Sequence, residues 1–260
     1  MMLQLGQIAW LIQDGAGHPG LARGIAPRNL LSARETAVYQ SLAVAKRRRD
    51  WLLGRWTAKQ LLATMSAAEG RPFAAQAFSI LAAEDGAPQV WTEWRGQLLP
   101  VQTALSISHA HGVAFCAAHK GSGWSLGVDI ERIEPRHAQF AQTYFTAAEM
   151  HRLNQSQPEQ VDCLLTAIWS AKEAALKALR LGLRADTREV QVNIRSFRCE
   201  PQEWSAFTIE WRPGAVALQG WWRFWRGFVL AMAVRPLQAA HSGADKPLPA
   251  GIERSAAAAA

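Results

Sequence analysis

Residues 127–131 read Gly127-Val128-Asp129-Ile130-Glu131, and they read as a strand. Alternate residues of a strand share a face. Val128 and Ile130 then point to a core, and Asp129 and Glu131 point the other way, about 7 Å apart at Cα. Two carboxylates on one side of a strand end can converge on a hard cation. The plainer reading is the solvated acidic face of a half-exposed strand.

Working outward, the strand covers Leu126–Glu131. Helical patterns follow at 137–142, 146–154 and 158–180. Strands then run over Glu189–Ile194, Ala206–Trp211, Ala215–Trp225 and Gly227–Val234. Upstream, a strand at Leu5–Ile12 and a Gly/Pro loop precede a helix with Ser32 as N-cap and Glu35 three positions later, a capping box. A second helix runs from about Arg47 to Ala68 and ends at Gly70, Arg71 and Pro72. Strands follow at Phe78–Leu81, Gln89–Trp94, Ala104–Ser108 and Val113–His119. The same element order occurs twice. It predicts an α+β chain of two similar halves, 1–124 and 125–236, breaking near Gly121–Ser125. No residue-level repeat is visible, so the duplication rests on element order. Residues 237–260 turn to Ala, Ser, Gly and Pro and end in five alanines, a composition read as disordered.

Three further groups carry possible chemistry. In Trp169-Ser170-Ala171-Lys172-Glu173-Ala174-Ala175-Leu176-Lys177, Glu173 and Lys177 are i,i+4 neighbours on one helix face. Leu165, Ile168, Trp169, Leu176 and Leu179 form the apolar stripe, and Lys172 falls inside it. It either snorkels or has a task. In Leu105-Ser106-Ile107-Ser108-His109, the two serines share one strand face and His109 closes the strand. Hydroxyl, imidazole and backbone N–H groups there can hold phosphate oxygens. A Ser/His nucleophilic pair competes, without a G-x-S-x-G elbow to support it. In Lys46-Arg47-Arg48-Arg49, continued by Arg55 and Lys59, a basic stripe suits phosphate or a nucleic-acid backbone. It also reads as a solvated charge run.

The 260 residues are 49% hydrophobic and 19% charged, which excludes a disordered chain. No apolar run approaches the ~18–20 residues of a membrane span, and Met1–Asp14 lacks a basic leader. Three scattered cysteines, Cys116, Cys163 and Cys199, indicate neither a disulfide framework nor a zinc knuckle. A soluble cytoplasmic protein is expected. The formal charge of +7 points to an anionic partner: nucleic acid, a phosphorylated small molecule or an acidic protein.

Taken together, Ser106–His109, Gly127–Glu131 and Trp169–Lys177 resemble the 4'-phosphopantetheinyl transferases of the larger, monomeric, surfactin-synthetase-activating type. That family shows S-x-S-H, then G-V-D-I-E, then W-x-x-K-E-A-x-x-K. Phe145-Thr146-Ala147-Ala148-Glu149 resembles its F-[ST]-x-x-E segment, and Gly182-Leu183 fits after the helix. The resemblance spans about 46–185.

It implies an α+β fold with a pseudo-two-fold axis and the active site in the cleft between the halves. It implies an enzyme that moves the phosphopantetheine arm of coenzyme A to a serine of an acyl or peptidyl carrier protein, releasing 3',5'-ADP. Mg²⁺, with Mn²⁺ an alternative, is expected on Asp129, Glu131 and Glu173. Glu173 is the implied general base and Lys177 the group that stabilises the leaving phosphate. Ser108 and His109 are expected on CoA phosphates, His109 also among the catalytic residues, with Lys46, Arg48 and Arg49 for the 3'-phosphate and Gly86 and Pro88 near the adenine. An acidic carrier protein suits the positive charge. No nucleic acid, membrane or second subunit is expected. Fatty-acid, polyketide, nonribosomal-peptide and lysine-biosynthesis carriers all present a similar serine, and siderophore assembly is among the expected contexts. Two departures stand out. The family's G-[KR]-P reads Gly86-Ala87-Pro88 here, so a cationic contact is missing unless another arginine substitutes. Asp50 occupies the usual place of a phosphate-binding arginine. A CoA-binding protein or CoA hydrolase is the alternative function.

Overall fold

The computed structural model describes residues 3–70, 74–182, 185–194, 197 and 203–237. Arg71, Pro72, Leu183, Cys199 and the tail from 238 onward lie outside them. The N-terminal half holds β1 (Ala9–Asp14), α1 (Pro19–Ala22), α2 (Ala33–Ser41), α3 (Ala45–Ala68), β2 (Phe78–Ala82), β3 (Pro88–Trp94), β4 (Gln97–Pro100), β5 (Thr103–Ala110) and β6 (Val113–Lys120). The C-terminal half holds β7 (Trp124–Arg132), α4 (Ala138–Tyr144), α5 (Ala147–Asn154), α6 (Pro158–Leu179), β8 (Val190–Asn193), β9 (Ser205–Trp211), β10 (Val216–Trp225) and β11 (Phe228–Pro236). The α+β class and the two-half arrangement are those expected.

Each half sets one long helix across antiparallel strands. In the C-terminal half these form one five-stranded sheet, ordered β7-β11-β10-β9-β8. In the N-terminal half they divide into two three-stranded sheets, β1-β6-β5 and β2-β3-β4. The five-stranded sheet is covered on both faces. Val229, Ala231 and Ala233 of β11 pack with Leu164, Ile168, Ala171 and Ala175 of α6. Leu230, Met232 and Val234 of the same strand pack with Val128, Ile130 and Phe115, joining the halves. Burial of each large aliphatic side chain contributes about 1.5–3 kcal/mol.

The residue-level repeat missing from the sequence lies in how two lysines are buried. Ser32 and Glu35 form the expected capping box at α2, and Thr146 and Glu149 form a second at α5. Each glutamate then reaches beyond its helix. Glu35 accepts the Ile80 N–H of β2 at 3.1 Å and pairs with Lys59 of α3 at 2.5 Å. Glu149 accepts the Val192 N–H of β8 at 2.7 Å and pairs with Lys172 of α6 at 2.9 Å. Lys59 also donates to the carbonyls of Leu30 and Phe78, and Lys172 to those of Thr187 and Val190. Both lysines are fully buried, and burial pushes both pKa values down. Lys172 therefore does not snorkel, and Lys59 is not part of a solvated or phosphate-binding stripe. Arg55 also turns inward, donating to the Ile80 carbonyl at 3.2 Å.

Smaller differences have local causes. The expected strand at Leu5–Ile12 begins only at Ala9, because Leu5–Gln7 is a 3-10 turn closed by Gln4 and Gln7. The sequence reading missed β4, which the left-handed pair Arg95-Gly96 turns back onto β3. Cys163 is disulfide-bonded, which the scattered cysteines did not announce, whereas Cys116 is a free, buried thiol. No helix among the described residues is long and apolar enough to cross a membrane.

Candidate active site

The acidic face of β7 lies under α6, with Asp129 buried and Glu131 half-buried. Gly127 permits the approach, since a Cβ there would stand 1.9 Å from the Ala174 carbonyl oxygen. Ser125 ties the two further, donating to the Ala178 carbonyl at 2.6 Å. The contact brings Glu173 and Lys177 of α6 to Asp129 and Glu131 of β7.

β7 is an edge strand, and β5 runs along it without a ladder. Edge N–H and C=O groups need partners when buried. Here side chains provide them at Val128: its N–H donates to Ser106 Oγ at 2.9 Å, and its carbonyl accepts from Lys177 Nζ at 2.9 Å. Lys177 also meets Asp129 Oδ1 at 2.8 Å and Ser108 Oγ at 3.1 Å. Ser108 donates to Asp129 Oδ1 at 2.9 Å. Ser108, Asp129 and Lys177 thus form one cluster across the seam between the halves.

Two carboxylate oxygens at this seam are buried without a hydrogen-bond partner: Asp129 Oδ2 and Glu173 Oε1. Burial and then the Asp129 charge push the Glu173 pKa up to about 7; Lys177 pulls it back and Glu131 adds to the rise. Burial and Asp129 likewise raise Glu131, against Arg136 and Trp169. Glu131 accepts from Arg136 at 2.8 Å and from Trp169 Nε1 at 3.2 Å.

Hard oxygen donors left unpaired in a field of like charge are the chemistry of a divalent-cation site. Mg²⁺ is commonly held by one or two carboxylates with substrate phosphates, and Asp129 with Glu173 fits that pattern. The expected three-carboxylate cluster is not assembled, and no group of three metal-ligating side chains occurs among the described residues. The reason is local: Glu131 is engaged by Arg136 and Trp169.

The other expected residues fall into two groups. His109 is exposed along its edge, yet surrounding protein lowers its pKa, against Asp50 and with Lys177 and Lys46. It stands between the start of α3 and Lys177. Lys46 pairs with Asp50 at 3.0 Å. Arg48 donates twice to the Leu42 carbonyl and stacks over Tyr39, holding the turn into α3. Arg49 is exposed and packs on Gly24. Gly86 and Pro88 belong instead to a cavity of about 500 Å³ between β3, β5 and the end of α6. Ser106, Lys177 and Arg180 also line it, whereas Ser108, His109, Lys46, Arg48 and Arg49 do not. The cavity occupies the division between the two N-terminal sheets, and Lys177 is where it meets the carboxylates.

Sequence reasoning missed Arg136 and Arg180. Arg136 lies five residues beyond Glu131, and Arg180 three beyond Lys177, so proximity to the motifs was the available signal.

Residues 125–233 match the family model described as the 4'-phosphopantetheinyl transferase superfamily. The match covers fewer than half of the residues but takes in Asp129, Glu131, Glu173 and Lys177. No curated protein matches the chain. The holo-[acyl-carrier-protein] synthase of Thermotoga maritima is 13% identical over 53% of this chain and 74% of its own, with a TM-score of 0.34. The holo-ACP-synthase of Plasmodium yoelii is 16% identical over 45% of this chain and 94% of its own, with a TM-score of 0.32. At these scores neither likeness decides anything about the fold. The likeness to that superfamily is therefore carried by residues 125–233.

Proposed function

We propose that this chain transfers 4'-phosphopantetheine from coenzyme A to a serine of a carrier protein, as a monomer of the surfactin-synthetase-activating type. One observation carries the reading. Within the segment that matches the superfamily, Asp129, Glu173 and Lys177 converge at the seam with two buried carboxylate oxygens unpartnered. A monomer suffices because one chain supplies both walls of that seam.

The reaction needs a serine oxygen to attack the phosphorus that bears the pantetheine arm. The new P–O bond forms as the bond to 3',5'-ADP breaks, and the serine proton must leave. Positioning and charge neutralisation carry most of such a reaction. Glu173 is the proposed proton acceptor; without a metal its pKa is raised to about 7, and sharing the carboxylate with Mg²⁺ would make it a weaker base. Lys177 stands beside Asp129 and reaches the cavity wall, where it can meet the negative charge that grows on the leaving phosphate. A bound Mg²⁺ would supply further charge neutralisation, and Asp129 and Glu173, with Glu131 the third expected carboxylate, would be the residues to hold it. Ser108 orients Asp129. His109, Lys46, Arg48 and Arg49 line the approach on the α3 side. Gly86 and Pro88 wall the cavity for the nucleotide end of CoA. The surplus positive charge suits an acidic carrier protein.

The test is the intact mass of an apo carrier protein after incubation with the enzyme, CoA and Mg²⁺, with an EDTA control. A gain of one phosphopantetheine unit, lost with EDTA, is expected. CoA consumption without a carrier adduct would replace this reading with a CoA hydrolase.

A further inference from the structure

Arg180 follows the last turn of α6 in the left-handed conformation, φ 61, a position that glycine usually fills. From there its guanidinium crosses from the C-terminal half to the N-terminal half. Nε lies 2.6 Å from Asp85 Oδ2, and the terminal nitrogen donates to Asp85 Oδ1 at 3.0 Å. Asp85 sits in the β2–β3 turn, beside Gly86 and Ala87. Its Oδ1 also accepts the Ala87 N–H at 3.0 Å. The guanidinium holds the Asp85 carboxyl below its usual pKa.

Both residues line the 500 Å³ cavity. Among the residues lining it, Lys177 and Arg180 carry the cationic side chains. They are engaged differently. Lys177 is divided among Asp129, Ser108 and the Val128 carbonyl. Arg180 faces one carboxylate at the rim, and the two side chains are 41% and 26% exposed. A pair so exposed contributes little to stability and parts at little cost. A phosphate dianion offers the guanidinium a more strongly charged partner in the same two-pronged geometry.

Resting on the reading of the cavity as a CoA site, we infer that Arg180 is a phosphate-binding residue for the co-substrate and that Asp85 is the counter-ion it leaves. Asp85 keeps the arginine at the mouth of the cavity and competes with the ligand for it.

Competition gives the two partners opposite signatures, which a merely structural ion pair does not. The experiment is calorimetric titration of CoA and of dephospho-CoA into the purified full chain, wild type, Arg180→Ala and Asp85→Asn. Wild type is expected to bind CoA. Arg180→Ala should weaken CoA about 10-fold or more, and Asp85→Asn should tighten it by about 2- to 5-fold. If Arg180 reads the 3'-phosphate, the preference for CoA over dephospho-CoA shrinks in Arg180→Ala. If it reads the pyrophosphate, both ligands weaken together. Either pattern supports the assignment. An unchanged affinity in Arg180→Ala, or weakening in both variants, overturns it while leaving the CoA reading intact. Failure of wild type to bind CoA removes both.

Discussion

Lys172 and Lys177 stand on the same helix, less than two turns apart, and each pairs with a carboxylate. Their surroundings differ. Lys172 is fully buried and donates to Glu149 and two backbone carbonyls. Glu149 is equally complete, with the Thr146 N–H, the Val192 N–H and the lysine. Lys177 is 31% exposed on its side chain and faces a carboxylate with one oxygen unpartnered. The sealed pair recurs in the other half as Lys59 and Glu35; the open pair does not. A network with every donor and acceptor satisfied fixes structure, whereas unsatisfied oxygens are kept for something that arrives.

The sealed pair should show the largest effect. Glu149→Gln leaves a buried lysine without its counter-charge, a change that costs about 3–5 kcal/mol. Denaturant unfolding of Glu149→Gln and Glu35→Gln should show losses of similar size. A change below about 1 kcal/mol at both would mean that the lysines adapt and that the pairs hold nothing together.

Next comes the open side of the same helix. Glu173→Gln removes the proposed proton acceptor and a proposed metal-binding charge, and turnover should fall at least about 100-fold. Its stability should not fall, because a neutral amide relieves the repulsion from Asp129. Near-wild-type turnover would show that the unpartnered oxygens have no part in the chemistry.

The pH dependence sharpens the contrast. Glu173 is raised from 4.5 to about 7 in the folded protein. Between those values the folded state holds a proton that the unfolded state has lost. Its contribution to stability therefore falls as pH rises through that window and levels off above 7. In metal-free protein, wild type should lose about 2 kcal/mol relative to Glu173→Gln between pH 5.5 and 8. Adding Mg²⁺ at pH 8 should raise the melting temperature of wild type more than that of the variant. A flat difference across pH would deny Glu173 its repulsive setting.

Much of this was legible in the residues because it is local. The Ser32/Glu35 box, the long helices and the alternation of Val128 and Ile130 against Asp129 and Glu131 all follow from spacing over a few positions. The sequence also placed Glu173 and Lys177 on one helix face. It did not show that Lys59 and Lys172 are buried, because their partners are glutamates of other helices and carbonyls of distant strands. Nor did it show that Glu131 turns to Arg136 and Trp169, which depends on where the chain goes after β7. The expected CoA residues divided between the α3 side and the cavity because Lys46, Arg48 and Arg49 belong to α3 and Gly86 and Pro88 to the turn into β3, and spacing along the chain does not say how far apart two such elements lie. Arg180 was hidden by its place just after a helix, where a residue reads as a cap.

The smallest effects concern two serines that the strand alternation treats alike. Ser106 and Ser108 share one face of β5, and both are buried. Ser106 accepts the edge N–H of Val128, a backbone need that exists whether or not a substrate is bound. Ser108 bridges Lys177 and Asp129, a need that arises from the charges. Ser106→Ala should therefore cost about 1–2 kcal/mol of stability through the unpaired N–H, with turnover within about 2-fold. Ser108→Ala should cost less stability, because Lys177 and Asp129 still meet, but turnover should fall several-fold as Asp129 loses its orientation. Unfolding curves and single-turnover rates for the two variants decide it. Identical behaviour would mean that the sealed and open sides of the seam are one network, and the distinction drawn between Lys172 and Lys177 would not extend to β5.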